Sequence, residues 1–523
     1  MAKISNRISE SLSEYLILTN WVKTRSEKVS LETKLGESIS LQYPFVTARM
    51  QSVVGPEMAV AAGKNGILTV VPRSLNDDDK EKIISANEKS RLSKGEIEYV
   101  DRPVYVESDY TWERVLQTVD RVGHSIIPVI DKKDQKLLGV YIHDPDNSPM
   151  ISSRELITHD ELMQGLKYTH DESQGKVPYL GYSDISTFSE LDQHVKEILQ
   201  KEKISFLPIL GEDYILRKMA FLQKYDTNFI GIAISSNKEK WKNDLERWGG
   251  KVDTICIDSS NACFDEALKI LEYFKSSSEF KNKPFGIGNI IKGEDFKVFA
   301  EHGADYIIGG LGVGSICRTG SERGNGRGQM TVALELAQAR DDFFKEKRKY
   351  VQLVLDGGIR NYKDMVVALS LADLIMMGNF FNSFYESAAR KFDEKGNPTH
   401  EEPSMRYVET WGEGHPRARL VFMFGSDYFK GGSVSEIINS KEGNERYGHV
   451  TLSGSTVEGV LGKVKYRGRL KPNVEEAARY IKTTISNSGA SDLESFRENA
   501  ILEKASSQTL KDMLPHDVDD YES

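Results

Sequence analysis

Short runs of β-branched and aromatic residues alternate along the chain with longer amphipathic stretches, and this pattern predicts strands joined by helices. Eight apolar runs begin at residues 44, 66, 229, 253, 284, 305, 351 and 373, and most end in Gly, Asp, Ser, Asn or Arg. Helical patterns such as EALKILEYFKSS lie between them. Eight such units predict an α/β fold, a (β/α)8 TIM barrel whose strand-end polar residues line the catalytic face. An open doubly wound sheet is the alternative, although such sheets usually have fewer strands.

The interval between the second and third predicted strands is too long for a loop, so residues 99–227 are expected to form an inserted domain. Residues 1–98 and 228–523 would together form the barrel. The insert repeats weakly, because residues 104–142 and 179–221 each read as a short strand, a helix, a second strand and a closing strand. This α+β pattern resembles a tandem CBS (Bateman) domain, which implies binding of adenine or guanine nucleotides. A lid domain that binds no ligand is the alternative.

Charge and composition argue against several classes of function. The 523 residues carry a net charge of -10, which disfavours nucleic acid as a partner, because phosphate affinity needs a basic face. No run of about 18 apolar residues occurs, so no membrane span is expected. The polar N-terminal residues of mixed charge are unlike a signal peptide, and three cysteines are too few for a disulfide framework. These features predict a cytoplasmic protein.

The glycine-rich loop Gly309–Gln329 contains Cys317 and follows the sixth predicted strand. A single cysteine is most often a small buried hydrophobic residue, and Cys256 and Cys263 are expected to fit that description. Cys317 does not, because glycines let the backbone approach a ligand and adjacent N–H groups can hold an anion. Such a setting favours a thiolate nucleophile, and the loop carbonyls could coordinate a monovalent cation. The loop therefore predicts a phosphate-bearing substrate and a covalent step.

A second irregular stretch, from about residue 385 to 465, is rich in glycine, arginine and other charged residues. A segment of this length on a compact barrel is either disordered or a functional flap. We place the flap at about residues 400–455.

The sequence GVGSICRTG, residues 312–320, followed by GRGQ, resembles the catalytic loop of the inosine monophosphate (IMP) dehydrogenase / guanosine monophosphate (GMP) reductase family. Residues 354–381 resemble that family's phosphate-binding strands. The segments MQSVVG, CIDSS, GIGNI, WGEG and VEGVLGKVKYRGRLK match the family in the same order. The insert falls where the family has its CBS pair, so the resemblance covers nearly the whole chain.

The resemblance implies NAD-dependent oxidation of IMP to xanthosine monophosphate (XMP), in the guanine nucleotide branch of purine biosynthesis. The Cys317 thiolate would attack C2 of the hypoxanthine ring, hydride would pass to NAD, and water would hydrolyse the covalent intermediate. A potassium ion bound by carbonyl groups of Gly312, Gly314 and Cys317 is also implied, with a loop that holds no ion as the alternative. Homotetramers assembled through the barrels, which CBS pairs can join into octamers, are implied as well.

Roles for single residues follow from the resemblance, position by position. Those implied to hold IMP are Met50, Ser52, Ser315, Asp356, Gly358, Gly378, Asn379, Gly412, Gly414 and Glu458. Those implied to face the nicotinamide cofactor are Asp258, Ser259, Ser260, Asn289 and Gly309. Thr319 would activate the hydrolytic water together with the flap pair Arg446 and Tyr447. Read without the resemblance, Asp258 could be a helix N-cap, and the Arg-Tyr pair ordinary surface residues.

Two other functions remain open. GMP reductases share the barrel and the cysteine, use NADPH and release ammonia, but usually lack the CBS pair and the long flap. A non-catalytic nucleotide sensor with a degenerate barrel is the second alternative, and the presence of Cys317, Thr319 and Asp356 argues against it. The resemblance therefore favours the dehydrogenase.

Overall fold

The computed structural model describes residues 8–101, 103–111, 114–115, 117–118, 126–142, 166–169, 180–181, 188–202, 206–211, 215–223, 226–237, 240–426 and 459–514. The chain forms two compact units. Residues 1–91, 228–468 and 474–523 make up the first, and residues 92–227 with 469–473 make up the second.

Eight parallel strands form the sheet of the first unit. They are Phe45–Thr47 (β1), Thr69–Val71 (β2), Ile230–Ile234 (β3), Thr254–Asp258 (β4), Phe285–Ile290 (β5), Tyr306–Gly309 (β6), Gln352–Asp356 (β7) and Leu374–Met377 (β8). Hydrogen bonds join them in the order β1-β8-β7-β6-β5-β4-β3-β2. A parallel bridge joins Val46 to Leu68, so the two ends of the sheet also meet. The sheet closes into the predicted (β/α)8 barrel, and the alternative of an open sheet is wrong.

Helices follow the strands of the barrel. The first seven strands precede Pro56–Lys64, Asp77–Lys89, Trp241–Trp248, Asp265–Ser276, Gly293–Glu301, Gln329–Lys347 and Tyr362–Leu369. The eighth precedes the short helix Asn379–Asn382 and, later, Leu470–Asn487. Asn76 and Asn361 cap two of these helices by accepting hydrogen bonds from backbone amides in the first turn. Among the described residues, no helix combines the length and apolar character needed to cross a membrane.

Apolar side chains fill the barrel and close its amino-terminal end. A hairpin of Thr33–Leu35 and Ile39–Leu41 contributes leucine and isoleucine side chains that pack in one cluster with residues of the strands, such as Val354 and Met376. This plug leaves the carboxyl ends of the strands as the open face, on which barrel enzymes build their sites.

Cys256 and Cys263, which were both expected to be buried, differ in their exposure to solvent. Cys256 lies in the barrel core with 1% of its surface exposed, as predicted. The expectation that Cys263 is also buried is wrong, because it is exposed on the loop after β4. Its amide donates to the Asn261 side chain over 3.2 Å, which fixes the loop.

The second unit contains two sheets that repeat one design: a short strand, a parallel neighbour and an antiparallel closing strand. In the first sheet these are Val106–Glu107, Ile126–Ile130 and Leu137–Ile142. In the second they are Leu180–Gly181, Phe206–Leu210 and Leu216–Leu222, with helix Phe188–Glu202 after the first strand. The strand order of each half is the one read from the sequence repeat.

A fourth strand joins each of these sheets from outside its own half. Leu166–Thr169 lies before the second half in the sequence but pairs with Leu137–Ile142 of the first. Ile97–Asp101 lies before the first half but pairs with Leu216–Leu222 of the second. The two halves therefore exchange strands.

A small antiparallel sheet in the first unit carries the start and the end of the irregular segment. Its strands are Lys391–Phe392, Tyr407–Trp411 and Leu461–Lys465. The last two place Gly412 beside the segment that begins at Gly459.

Candidate active site

A cavity of about 410 Å³ lies at the carboxyl ends of the barrel strands. Its walls come from segments at the ends of six strands, together with residues 412–414 of the WGEG motif. Among the residues that the sequence predicted, it is lined by Met50, Asp258, Ser259, Ser260, Asn289, Gly312, Gly314, Cys317, Thr319, Asp356, Gly412 and Gly414. These positions are far apart in the sequence, and closure of the barrel brings them together.

Other predicted residues lie outside this lining. Ser52 is buried after β1, and Gly309 is buried at the end of β6. Four more are partly or fully exposed: Ser315, Gly358, Gly378 and Asn379. Arg446, Tyr447 and Glu458 lie outside the described residues.

Cys317 is half-buried in the cavity wall, on the loop between β6 and helix Gln329–Lys347. Its Sγ donates a hydrogen bond to the Thr319 hydroxyl over 3.2 Å. Its amide donates to the Gly314 carbonyl over 3.0 Å, which closes a tight turn. Thr319 is 7% exposed, so its hydroxyl is held against the thiol by the surrounding packing. The loop thus presents a thiol and a hydroxyl to the same cavity.

A separate segment fixes the cysteine loop from outside. Gly459 forms an antiparallel bridge with Cys317, and the Val460 amide donates to the Ile316 carbonyl over 3.1 Å. The Gly412 amide donates to the Val460 carbonyl, also over 3.1 Å. A Cβ on Gly412 would lie only 2.8 Å from the Cα of Gly459, so this approach requires glycine. The small sheet therefore ties the WGEG motif to the loop that carries the cysteine.

Arg49 lines the cavity although the sequence analysis did not single it out, and only 5% of its side chain is exposed. Its guanidinium lies 3.2 Å from Asp258 Oδ1 and 3.1 Å from Asp356 Oδ2. It also donates to Asn289 Oδ1 over 2.7 Å. Burial alone would lower the pKa of Arg49, but the neighbouring charges, Asp258 first, hold that pKa above its ordinary value. One buried cation thus joins the ends of four barrel strands.

Glu413 is a second charged residue of the cavity that the sequence analysis did not single out. Its carboxyl group accepts hydrogen bonds from the Gln51 amide over 2.7 Å and from the Ser74 hydroxyl. Enclosure of this carboxyl group and, to a lesser degree, the charge of Asp258 raise its pKa to about 7, against the effect of the two donors. Glu413 therefore changes its charge near neutral pH.

Both residues had a partial signal in the sequence. Arg49 stands at the end of the run PFVTARMQ, where a barrel strand delivers its polar side chains, and Glu413 is the third residue of WGEG. Their partners could not be read from the sequence. Arg49 reaches side chains 240 and 307 residues away, which only the closed barrel brings within contact.

The closed barrel, the cavity at the carboxyl ends of its strands and the thiol of Cys317 define an enzyme of the α/β-barrel class. The family model for the IMP dehydrogenase / GMP reductase domain matches residues 10–516. The chain therefore belongs to this family and is an oxidoreductase.

Similar proteins extend over nearly the whole chain. The inosine-5'-monophosphate dehydrogenase of Tritrichomonas foetus is 28% identical over 99% of this chain and 98% of its own length. The same-named protein of Aquifex aeolicus is 24% identical over the same shares. A solved GMP reductase from Trypanosoma brucei, in complex with guanosine 5'-monophosphate, matches with a TM-score of 0.63 at 19% identity and covers 98% of this chain. At that identity the match shows the fold alone.

The similarity to the GMP reductase bears on the expectation that reductases lack the inserted domain. It covers 99% of that reductase, so a reductase of this family can have the same overall extent as this chain. The presence of an insert therefore does not separate reductases from dehydrogenases.

Proposed function

We propose that this protein oxidises IMP to XMP with NAD as the hydride acceptor, through a covalent bond between Cys317 and C2 of the purine. The observation that carries the proposal is the thiol of Cys317, which lines a cavity that also contains the carboxylate of Asp356. Two similar proteins, each matched over 98% of its length, are named IMP dehydrogenases, which supports this reaction over GMP reduction.

In the proposed reaction the Cys317 thiol adds to the carbon–nitrogen double bond at C2: the sulfur bonds to C2, the thiol proton passes to the ring nitrogen, and C2 becomes tetrahedral. The hydrogen on C2 then leaves with its electron pair as hydride, which NAD accepts. Water replaces the sulfur at C2, which releases XMP and restores the thiol. Thr319 already accepts a hydrogen bond from the sulfur, so its hydroxyl is placed to relay a proton when the sulfur leaves. Arg446 and Tyr447 remain the proposed partners of Thr319 in activating the water.

The proposed IMP site uses the carboxylate of Asp356 for the ribose hydroxyls, because an ionised carboxylate accepts hydrogen bonds strongly. The phosphate would lie at the exposed rim, where backbone N–H groups can hold an anion. The residues proposed there are Ser315, Gly358, Gly378 and Asn379. The base would lie against Met50, Ser52, Gly412 and Gly414, with Glu458 recognising its N1–H.

The proposed NAD site is formed by Asp258, Ser259, Ser260, Asn289 and Gly309. The first four line the cavity and offer carboxylate, hydroxyl and amide groups, a set suited to the ribose and carboxamide of the nicotinamide half. When bound, NAD supplies the hydride acceptor.

Potassium is proposed at the carbonyl groups of Gly312, Gly314 and Cys317. The Gly314 carbonyl accepts the hydrogen bond from the Cys317 amide, and a carbonyl oxygen has a second lone pair that an ion can use. The donor set is therefore compatible with a monovalent cation.

The second candidate function is NADPH-dependent reduction of GMP with release of ammonia. The family to which the chain belongs includes GMP reductases as well as IMP dehydrogenases, which favours keeping this reaction as the second candidate. The deciding experiment offers the purified protein IMP with NAD and, separately, GMP with NADPH. We expect NADH to form in the first mixture and NADPH to persist in the second. The reverse pattern would establish the reductase.

The covalent step is tested by mass spectrometry of protein quenched during turnover of IMP and NAD. We expect a nucleotide adduct on the peptide that contains Cys317, and its loss together with activity in Cys317→Ala. Cys263→Ala removes an exposed thiol and is the matched control, which should retain both. An adduct that persists in Cys317→Ala would rule out this cysteine as the nucleophile.

For the second unit we propose a tandem CBS domain that binds adenine or guanine nucleotides, supported by its two sheets of matching strand order. We also propose a homotetramer that such domains can join into octamers, and a cytoplasmic location.

A further inference from the structure

Four strand ends meet at one guanidinium in the wall of the cavity. We call Arg49, Asp258, Asn289 and Asp356 the Arg49 cluster. Asp356 Oδ2 accepts from Arg49 and from the Asn289 side chain, each over 3.1 Å. Among the described residues neither donor bonds to Oδ1, so that oxygen is the one available to a ligand hydroxyl. The Asn289 side chain also donates to the Gly310 carbonyl over 2.8 Å, which ties the cluster to the start of the cysteine loop.

The two carboxylates of the cluster belong to different parts of the proposed site. Asp356 is on the IMP side, and Asp258 is on the NAD side. Two carboxylates that share a cavity repel each other unless a cation lies between them. Arg49 contacts both, and its planar fork can hold two partners in fixed directions, which a point charge cannot.

Arg73 provides an internal comparison. Of the two carboxylates of the cluster it contacts Asp258, with 3.3 Å between Nε and Oδ2, and 47% of its side chain is exposed. Arg49 has 5% of its side chain exposed. Arg49 therefore touches both carboxylates, whereas Arg73 touches one of them from the solvent side.

We propose that Arg49 is a positioning residue that holds the carboxylates of Asp258 and Asp356 in one geometry, so that the nucleotide and dinucleotide subsites are built around a shared cation. The inference rests on the proposed function. Arg49 acts through the two carboxylates and is assigned no contact with the reacting atoms, so its loss changes both KM values more than kcat.

The test compares Arg49→Met with Arg73→Met in the full-length protein. We expect Arg49→Met to raise KM for IMP and for NAD by at least about tenfold each, because it leaves two carboxylates without their buried partner. Arg73→Met should raise KM for NAD by less than about fivefold and leave KM for IMP unchanged, because an exposed pair contributes little. A change in only one KM for Arg49→Met, or a fall in kcat larger than the change in either KM, would overturn the proposal.

Arg49→Lys keeps the charge and is the conservative variant. A lysine ammonium lacks the fork, so both KM values should rise by less than in Arg49→Met but remain above the wild type. If Arg49→Met does not fold, the comparison of Arg49→Lys with Arg73→Lys tests the proposal instead. An unchanged KM for IMP in Arg49→Lys would then overturn the proposal.

Failure of the inference is distinguishable from failure of the proposed function. If the wild type turns over GMP with NADPH instead, the dehydrogenase proposal fails. The same variants are then compared with that pair of substrates. If the wild type turns over IMP and the two KM values respond independently, the dehydrogenase stands and the positioning role of Arg49 fails.

Discussion

At the scale of single residues, charge in the cavity is controlled by enclosure as much as by partners. Arg49 keeps its charge because two carboxylates compensate for its burial, whereas Glu413 receives two hydrogen bonds and still has its pKa raised to about 7. The sequence could predict that polar groups gather at the strand ends. It could not predict which of them stay charged, because that depends on partners from distant strands.

Glu413 makes stability depend on pH in a direction opposite to that of most paired carboxylates. The ordinary pKa of a glutamate side chain is 4.5, whereas the pKa of Glu413 in the folded protein is about 7. Between these values the folded protein holds a proton that the unfolded chain releases, so this group lowers stability as the pH rises through the window. The difference between the two pKa values corresponds to about 3 kcal/mol of stability, which is present below pH 4.5 and is lost as the pH rises to about 7.

We therefore predict that Glu413→Gln gains stability relative to the wild type as the pH is raised from 4.5 to 7. The glutamine oxygen can still accept from the Gln51 amide, and its NH2 group can donate to the Ser74 hydroxyl oxygen, but the side chain cannot ionise. Urea unfolding of both proteins across this range measures the difference. Glu503→Gln, at an exposed position, controls for the loss of one negative charge. A difference that stays constant with pH would show that the carboxyl group ionises normally.

At the scale of elements, the barrel strands were predictable because each is buried on both faces and therefore appears as an apolar run. The β3 residues Ile230–Ile234, for example, are buried throughout. The plug hairpin was not predicted from the sequence, because its strands have only three residues each. The contact between Gly412 and Gly459 was not predicted either, because the only trace that a close approach of two backbones leaves in a sequence is the presence of glycine.

This contact predicts an effect of Gly412→Ala on catalysis. The added methyl would push Gly459 away, and Gly459 is bridged to Cys317. We expect kcat to fall by about tenfold or more, because displacements of about 1 Å at a reacting group are costly. The readout is steady-state NADH formation, with a thermal melt to verify folding.

Gly462→Ala is the matched control. It lies in strand Leu461–Lys465, which pairs with Tyr407–Trp411, and an added Cβ there would meet its nearest neighbours at 4.0 Å, an ordinary contact. Its kcat should match the wild type. Equal losses in both variants would mean that the sheet as a whole, and not the glycine contact, governs the cysteine loop.

At the scale of the whole molecule, the two ends of residues 92–227 lie next to each other. The Thr227 amide donates to the Leu92 carbonyl and the Leu92 amide to the Thr227 hydroxyl, both over 2.9 Å. On the barrel side, the Arg91 guanidinium donates to the Asn228 carbonyl over 3.1 Å. The length of the interval between the second and third predicted strands predicted such an insert, but the pairing of its ends could be seen only in the folded chain.

We predict that replacing residues 92–227 with a short flexible linker leaves a folded barrel that still binds IMP. ATP or GTP should raise the melting temperature of the full-length protein, by the equivalent of about 3 kcal/mol at a hundred times Kd. The shortened protein should show no such response, while IMP should raise the melting temperature of both. A response to ATP or GTP that survives the deletion would place the nucleotide site in the barrel.

The exchange of strands within the second unit limits how this protein can be shortened. Removing residues 166–222 would take away Leu216–Leu222, the strand with which Ile97–Asp101 pairs. It would also remove Leu166–Thr169 from the sheet of the first half. The bared edges would invite pairing between molecules. Relatives that lack this region are therefore expected to have lost both halves in a single genetic event. Proteins with only one half deleted are expected to aggregate.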